Sequence, residues 1–381
     1  MRVCIAVSSL SKNDAIGNDV CHQCLALRRM GVETFIHAEQ GTEGYMAGHR
    51  VGRGRFLEML DAPETRLIYH HGGDWLEGPG FLERARGQVY VKYHNVTPPE
   101  FFAPYNDYHA GFCRAGIFLT EKFARMGKGI RFLCDSPHNV AEIAALGVPE
   151  ERIAIVPPFH KLDDFASAPE DAELARALDN GKINVLFVGR VAPNKGHRHL
   201  IEVMARYVAM YGPGIRLNVV GGIDPSIPGY NEELEKLVRR RGLGEVVTFT
   251  GGTTFAELST YYRHSDLFLL MSEHEGFCLP VLEAQHHDLP ILALSRAAVP
   301  GTMGANQMLF ETPDYRKFAA AIHVLDENEA YRRYLVGEGR KNLERLSNGR
   351  IEEAFFRNLG IAVPPGGKPG APKERKAETD A

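Results

Sequence analysis

The chain has 381 residues, of which 44% are hydrophobic and 24% charged, with a formal net charge of -4. That length is more than one core usually holds and points to two domains, and the slightly acidic balance excludes a nucleic-acid protein held by bulk positive charge. No apolar run is long enough to cross a bilayer, VCIAV after Arg2 is too short for a secretory segment, and six scattered cysteines make no disulfide framework. A cytoplasmic protein is expected, with peripheral contact at the inner face of the plasma membrane left open.

The first half alternates short apolar runs with helical patterns. VCIAVSS reads as a buried strand, and a helix is expected around Asp19 to Met30, ended by Gly31. VETFIHA, RLIYHHG and QVYVKYHN follow as strands, and RAGIFLT and RFLCDSP continue the alternation. A helix over Asn139 to Leu146 precedes Gly147, and RIAIVPPF runs into Pro157 and Pro158. The polar stretch around ASAPEDAE is the domain boundary, giving domains over 1–165 and 166–361.

The second half restarts the pattern, with KINVLFVGR, IRLNVVGG, VVTFTGG, DLFLLMS and PILALS as strands. Helices are expected from Lys195 to Met210, around Asn231 to Arg241 and near Ala256 to Arg263. Strands alternating with helices of this length imply an α/β fold with parallel sheets. Two such halves imply two doubly wound, Rossmann-like domains facing a cleft, with the carboxyl ends of the strands pointing into it. The tail over 362–381, rich in Pro, Gly and charge, is expected to be disordered.

Two pairs of residues invite a metal reading and do not support one. Cys21 and Cys24 form a CxxC with no second pair for a zinc ribbon, whereas Val20, Cys24 and Leu27 fall on one helix face as packing groups. His70-His71 and His286-His287 lack the i, i+4 spacing of two ligands on one helix. No metal and no cofactor are expected.

Chemistry concentrates in two loops of the second half. SEHEGFCLPVLEA follows a buried strand, and Pro280 suits the first turn of a helix. Gly276 lets a ligand approach the main chain, so strand, open loop and helix start present free amides to an anion. VGRVAPNKGH also follows a strand, where Arg190 offers a planar fork and Lys195 a point charge to phosphate oxygens. Neither loop is a Walker or dinucleotide sequence. Glu283, one turn into the helix, can accept from two vicinal hydroxyls, as a ribose offers, and Glu275 can reach the hydroxyls of a sugar on the diphosphate.

In this order and spacing, VGRVAPNKG, VVGG, FTGGTT and MSEHEGFCLPVLEA resemble the retaining glycosyltransferases of family 4, which have the GT-B architecture. The resemblance covers the second domain well and the first through a few segments only. It implies that Arg190 and Lys195 bind the diphosphate, Glu275 the donor sugar and Glu283 the ribose. The amides of Phe277, Cys278 and Leu279 would line phosphate and sugar, and family members commonly have glycine where Cys278 stands.

YHNVTPPEFF is similar to a segment of bacterial polysaccharide-building members, which points His94 into the cleft beside the transferred sugar. The loop SSLSKNDAIGNDV departs from the family's two adjacent glycines, leaving Gly17 as the candidate for close approach to the diphosphate. His94, Glu275, Arg190 and Lys195 form the expected catalytic set. The resemblance implies the mechanism usually proposed for the family, front-face substitution, with the nucleotide-sugar as co-substrate and the departing phosphate helping to take the acceptor proton.

Mannose from GDP-mannose stands ahead of a UDP-hexose as the expected donor. The expected acceptor is a saccharide or a polyprenyl-diphosphate-linked oligosaccharide in bacterial polysaccharide synthesis, with no nucleic-acid partner. The stretch FCRAGIFLTEKFARMGKGIRF interleaves Arg114, Lys122, Arg125, Lys128 and Arg131 with apolar residues, a surface that could meet anionic lipid or simply be solvated. A sugar-nucleotide epimerase and a non-catalytic sugar-nucleotide sensor remain alternatives.

Overall fold

A computed structural model of the chain describes residues 1–12, 14–127 and 129–362; Lys128 and, of the tail expected to be disordered, residues 363–381 lie outside these. Among the described residues, twelve strands form two sheets. β1 (Arg2–Leu10), β2 (Glu33–Gly41), β3 (Thr65–His71), β4 (Val89–Tyr93), β5 (Arg131–Cys134) and β6 (Ile153–Ile155) make the first, in the order β2-β1-β3-β4-β5-β6. β7 (Ile183–Val188), β8 (Ile215–Val220), β9 (Val247–Gly251), β10 (Leu267–Leu270), β11 (Ile291–Leu294) and β12 (Met308–Phe310) make the second, in the order β12-β11-β10-β7-β8-β9. Every pairing is parallel, as crossover helices between strands require. Both sheets are covered on both faces, so Val3 to Val7 and Leu267 to Met271 are almost wholly buried.

Local chemistry starts the crossover helices where the strands end. Asp14 caps the helix Ala15–Arg29 by accepting the amide of Gly17, and Ser136 caps Pro137–Ala145. Thr254 and Glu257 form a reciprocal capping box on Phe255–Arg263.

Two expectations change. RAGIFLT is no strand but the middle of the helix Asp107–Arg125, whose buried residues Ala110, Cys113, Gly116, Leu119 and Phe123 recur every three or four positions. The first helix begins at Ala15, four residues before the expected start, because Asp14 supplies the cap. β12 was not anticipated; its residues are only partly buried and the run is short.

The chain crosses between the domains twice. After the second sheet, the helix Asn348–Asn358 returns to the first. Ile351, Phe355, Phe356 and Leu359 join Val3, Ile5 and Leu133 in one apolar core, and Arg29 pairs with Glu352 at 2.8 Å. Burying these side chains contributes roughly 1.5–3 kcal/mol each before entropy, which fastens the end of the chain to the first domain. Where the strand ends meet, a Cβ built on Gly276 would lie 2.4 Å from the carbonyl oxygen of His94, so the two domains touch there.

Candidate functional site

Two loops of the second domain are locked together by one buried asparagine. The Asn194 carbonyl accepts the backbone amides of Glu273 (2.9 Å) and His274 (3.3 Å), and its side chain donates to the His274 carbonyl at 3.1 Å. Gly196 beside it has φ 70°, and a Cβ there would strike the Met271 carbonyl at 1.9 Å, so only glycine lets the loop lie this close. The clamp delivers Lys195 to Glu275: the ammonium donates to both carboxylate oxygens, at 2.8 and 2.7 Å. Glu275 is 7% exposed.

The amides of Gly276, Phe277, Cys278 and Leu279 have no acceptor among the described residues. They sit at the start of the helix Leu279–His286, where an anion would find both donors and the positive end of the dipole. Thr302 holds the loop by donating its hydroxyl to the Phe277 carbonyl. Cys278 takes the left-handed conformation, φ 78° and ψ 73°, which glycine adopts without cost. Arg190 is exposed and has no hydrogen bond or ion pair among the described residues, leaving its fork for a ligand. Tyr262 donates its hydroxyl to Glu283 at 2.7 Å, and burial pushes the Glu283 carboxyl above the usual carboxylate range.

The structure therefore gathers Lys195, Glu275 and the amides of Phe277, Cys278 and Leu279 at one point, with Glu283 a turn further on. It treats the two first-domain candidates differently. Gly17 is in the first turn of a helix rather than a loop, and its close approach is to Ser11, whose carbonyl oxygen would lie 2.0 Å from an added Cβ. The His94 ring points inward rather than into the cleft. Its Nδ1 lies 2.9 Å from Asp135 and its Nε2 2.8 Å from His70, and only 7% of the side chain is exposed. What His94 shows the loop at Gly276 is its main-chain carbonyl.

Asn95, Asn194, His274, Tyr262 and Thr302 were not singled out in the sequence. Asn95 has φ 76°, accepts from His274 Nε2 at 2.6 Å across the domains and donates to Glu142 and Asn139. Asparagine is favoured in the left-handed region, and its place after the strand-ending His94 was the available signal.

Asp19, His70 and His94 offer three donor atoms within 4.8 Å of one another. As a cation site the set fits poorly. His70 and His94 bond to each other, Asp19 accepts from Gln23 and Phe159, and the Lys92 ammonium lies 3.9 Å from Asp19. On the helix Asp107–Arg125, Lys122 pairs with Glu83 and Arg125 with Glu121, while Phe118 is exposed. No described helix is long and apolar enough to cross a membrane.

Two parallel sheets with helices on both faces, their strand ends meeting at an anion-ready loop, define the GT-B glycosyltransferase fold. Residues 171–342 match the family model described as Glycosyl transferases group 1. D-inositol 3-phosphate glycosyltransferase of Kineococcus radiotolerans is 28% identical over 57% of this chain and 53% of that protein. The same-named protein of Geodermatophilus obscurus is 32% identical over 47% of this chain and 41% of its own length. The chain thus spans about half or less of these relatives. Among solved structures, Anabaena Alr3699/HepE in complex with UDP and glucose superposes with a TM-score of 0.72 at 14% identity, covering 94% of this chain and 99% of that one. WaaG, a glycosyltransferase involved in lipopolysaccharide biosynthesis, gives 0.69 at 16%, covering 95% and 100%.

Proposed function

We propose that the protein is a retaining hexosyltransferase that moves a hexose from a nucleotide-sugar to a hydroxyl of a saccharide acceptor. The observation that carries this reading is the cluster of the Lys195–Glu275 pair and the unpartnered amides of 276–279, with the exposed Arg190 on the loop that follows β7. A diphosphate at those amides would compete with Glu275 for the Lys195 ammonium and free the carboxylate to accept sugar hydroxyls. As the glycosidic bond breaks, charge grows on the leaving phosphate, and Arg190, Lys195 and the amides stabilise it more in the transition state than in the ground state. Contact between the domains at Gly276 and His94 would exclude water.

For the donor, GDP-mannose comes first on sequence resemblance, whereas the Anabaena protein was solved with UDP and with UDP-glucose, which favours a UDP-hexose. A phosphorylated polyol, suggested by the names of the relatives, joins the lipid-linked oligosaccharide as an acceptor to test. The paired Lys122 and Arg125 leave less free charge for a lipid surface than the sequence promised.

Calorimetric titration with UDP and GDP, followed by nucleotide release from their hexose conjugates, tests the reading. Binding with slow release supports it, and whichever base binds names the donor class. Epimer formation without acceptor indicates an epimerase, binding without turnover indicates a sensor, and binding of neither nucleotide overturns the assignment.

A further inference from the structure

We infer that His94 carries a hydrogen on both ring nitrogens, set by a buried hydrogen-bond chain of fixed direction, and that Asp19, Gln23 and His70 are its positioning residues. The direction begins at Asp19. Its Oδ1 accepts the amide of Phe159 at 3.0 Å, and its Oδ2 accepts Gln23 Nε2 at 2.9 Å. With its nitrogen so used, Gln23 turns Oε1 toward His70 Nε2, 3.2 Å away. An amide oxygen only accepts, so His70 Nε2 bears the hydrogen. Burial holds the His70 ring well below the ordinary histidine range, so it is neutral and its Nδ1 is bare. That Nδ1 lies 2.8 Å from His94 Nε2, which must therefore donate. The other nitrogen of His94 faces the Asp135 carboxylate at 2.9 Å and donates as well.

Charge balance agrees. Lys92 bonds Asp135 and lies 3.9 Å from Asp19 Oδ2, and His94 Nε2 lies 4.0 Å from the same oxygen. Two cations thus face two carboxylates, with all four side chains almost out of water, and buried charges persist only when paired in this way. Burial alone would raise the Asp135 carboxyl, but Lys92 and His94 hold it below its ordinary range. The opposite direction would need a hydrogen on Asp19, Gln23 turned over and His70 in its other tautomer. Burial does push the Asp19 carboxyl up, yet a backbone amide and two cations face its oxygens, which suits the ion.

A His94 ring that donates on both sides into the protein cannot take the acceptor proton. The ring stays inside the first domain, and only the His94 carbonyl abuts Gly276. This consequence rests on the glycosyl-transfer reading; the protonation itself does not.

The test is nitrogen NMR of the full chain with labelled histidine at neutral pH, signals being assigned with His94→Gln and His70→Gln. The expected spectrum shows hydrogens on both nitrogens of His94 and on Nε2 alone of His70. Gln23→Leu removes the orienting oxygen, and His94 Nε2 is then expected to lose its hydrogen. A wild-type His94 with a bare Nε2, beside a His70 protonated on Nδ1, would place the proton on Asp19 and overturn the inference. An unchanged His94 in a folded Gln23→Leu protein would also overturn it. The wild-type spectrum decides even where that variant fails to fold. It is recorded without nucleotide, so its outcome is independent of whether the protein transfers sugar.

Discussion

Lys195 and Glu275 stand 80 positions apart and meet in a two-point ion pair, the ammonium 2.8 and 2.7 Å from the two carboxylate oxygens. Neither is free, so under the proposed function a donor exchanges one charge partner for another. Lys195→Met leaves the buried Glu275 without its cation, and is expected to cost about 1–3 kcal/mol of stability. It is also expected to weaken nucleotide binding by about tenfold or more, or ~1.4 kcal/mol. The double variant with Glu275→Gln should recover part of the stability and none of the binding. Denaturant titration and calorimetry on the four proteins of the cycle measure the coupling.

Arg190 separates function from fold. It is exposed and makes no hydrogen bond or ion pair among the described residues, so Arg190→Ala should change stability by no more than about 0.5 kcal/mol. Turnover of the donor should nevertheless fall by about tenfold or more, and Arg190→Lys should restore only part, because the two-point fork is lost. Equal turnover by Arg190→Ala and the wild type would remove Arg190 from the site.

Gly276 is a contact between domains rather than within a core. An added Cβ would overlap the His94 carbonyl at 2.4 Å, and the domains can relieve that by parting. Gly276→Ala is therefore expected to keep its melting temperature while kcat/KM falls by about tenfold, a loss of closure. Gly337→Ala is the control: nothing lies within 4 Å of its added Cβ, and within its helix the change should stabilise by about 0.5–1 kcal/mol.

Cys278 holds a backbone conformation suited to glycine, at φ 78°. Its left-handed strain costs roughly 1–2 kcal/mol. Replacing it with glycine relieves that strain but adds ~0.5–1 kcal/mol of chain entropy and loses a buried thiol. Cys278→Gly should thus lie within about 1 kcal/mol of the wild type, while Cys278→Ala, which keeps the strain and loses the sulfur, should be less stable. Both should retain donor turnover, since the proposed site uses the amide. Thermal unfolding of the pair, alongside the nucleotide-release assay, checks this.

Glu142 gives the protein a pH-dependent weakness. Burial raises its carboxyl to about 7, the Tyr93 hydroxyl opposing. It accepts from Asn95 Nδ2 at 2.6 Å, and His138, itself pushed down by burial, lies 3.5 Å away. A carboxyl raised on folding ionises first in the unfolded chain, so stability falls as pH rises from the ordinary value of 4.5 to about 7 and then levels. With 34% of the side chain exposed, solvent screening reduces the effect to about 1–2 kcal/mol. Glu142→Gln should flatten that slope, as denaturant midpoints at pH 5 and pH 8 would show; an unchanged slope would rule Glu142 out as its source.

What the sequence determined by itself was local. Alternating apolar runs and helical patterns announced two parallel sheets, because buried parallel strands must be apolar on both faces. The loops after β7 and β10 announced a candidate anion site, because a loop that leads into a helix start exposes amides wherever it occurs. RAGIFLT misled because a short apolar run satisfies strand and buried helix alike, and only its packing decides.

Tertiary structure decided every relationship between distant residues. It paired Lys195 with Glu275, set Tyr262 against Glu283, and brought Asn95 to His274 across the domains. It sent the helix Asn348–Asn358 back to the first core. It also turned the His94 ring inward, because Asp19, His70 and Asp135 close around it from three separate elements. Buried charges take their orientation from partners that no local pattern reveals.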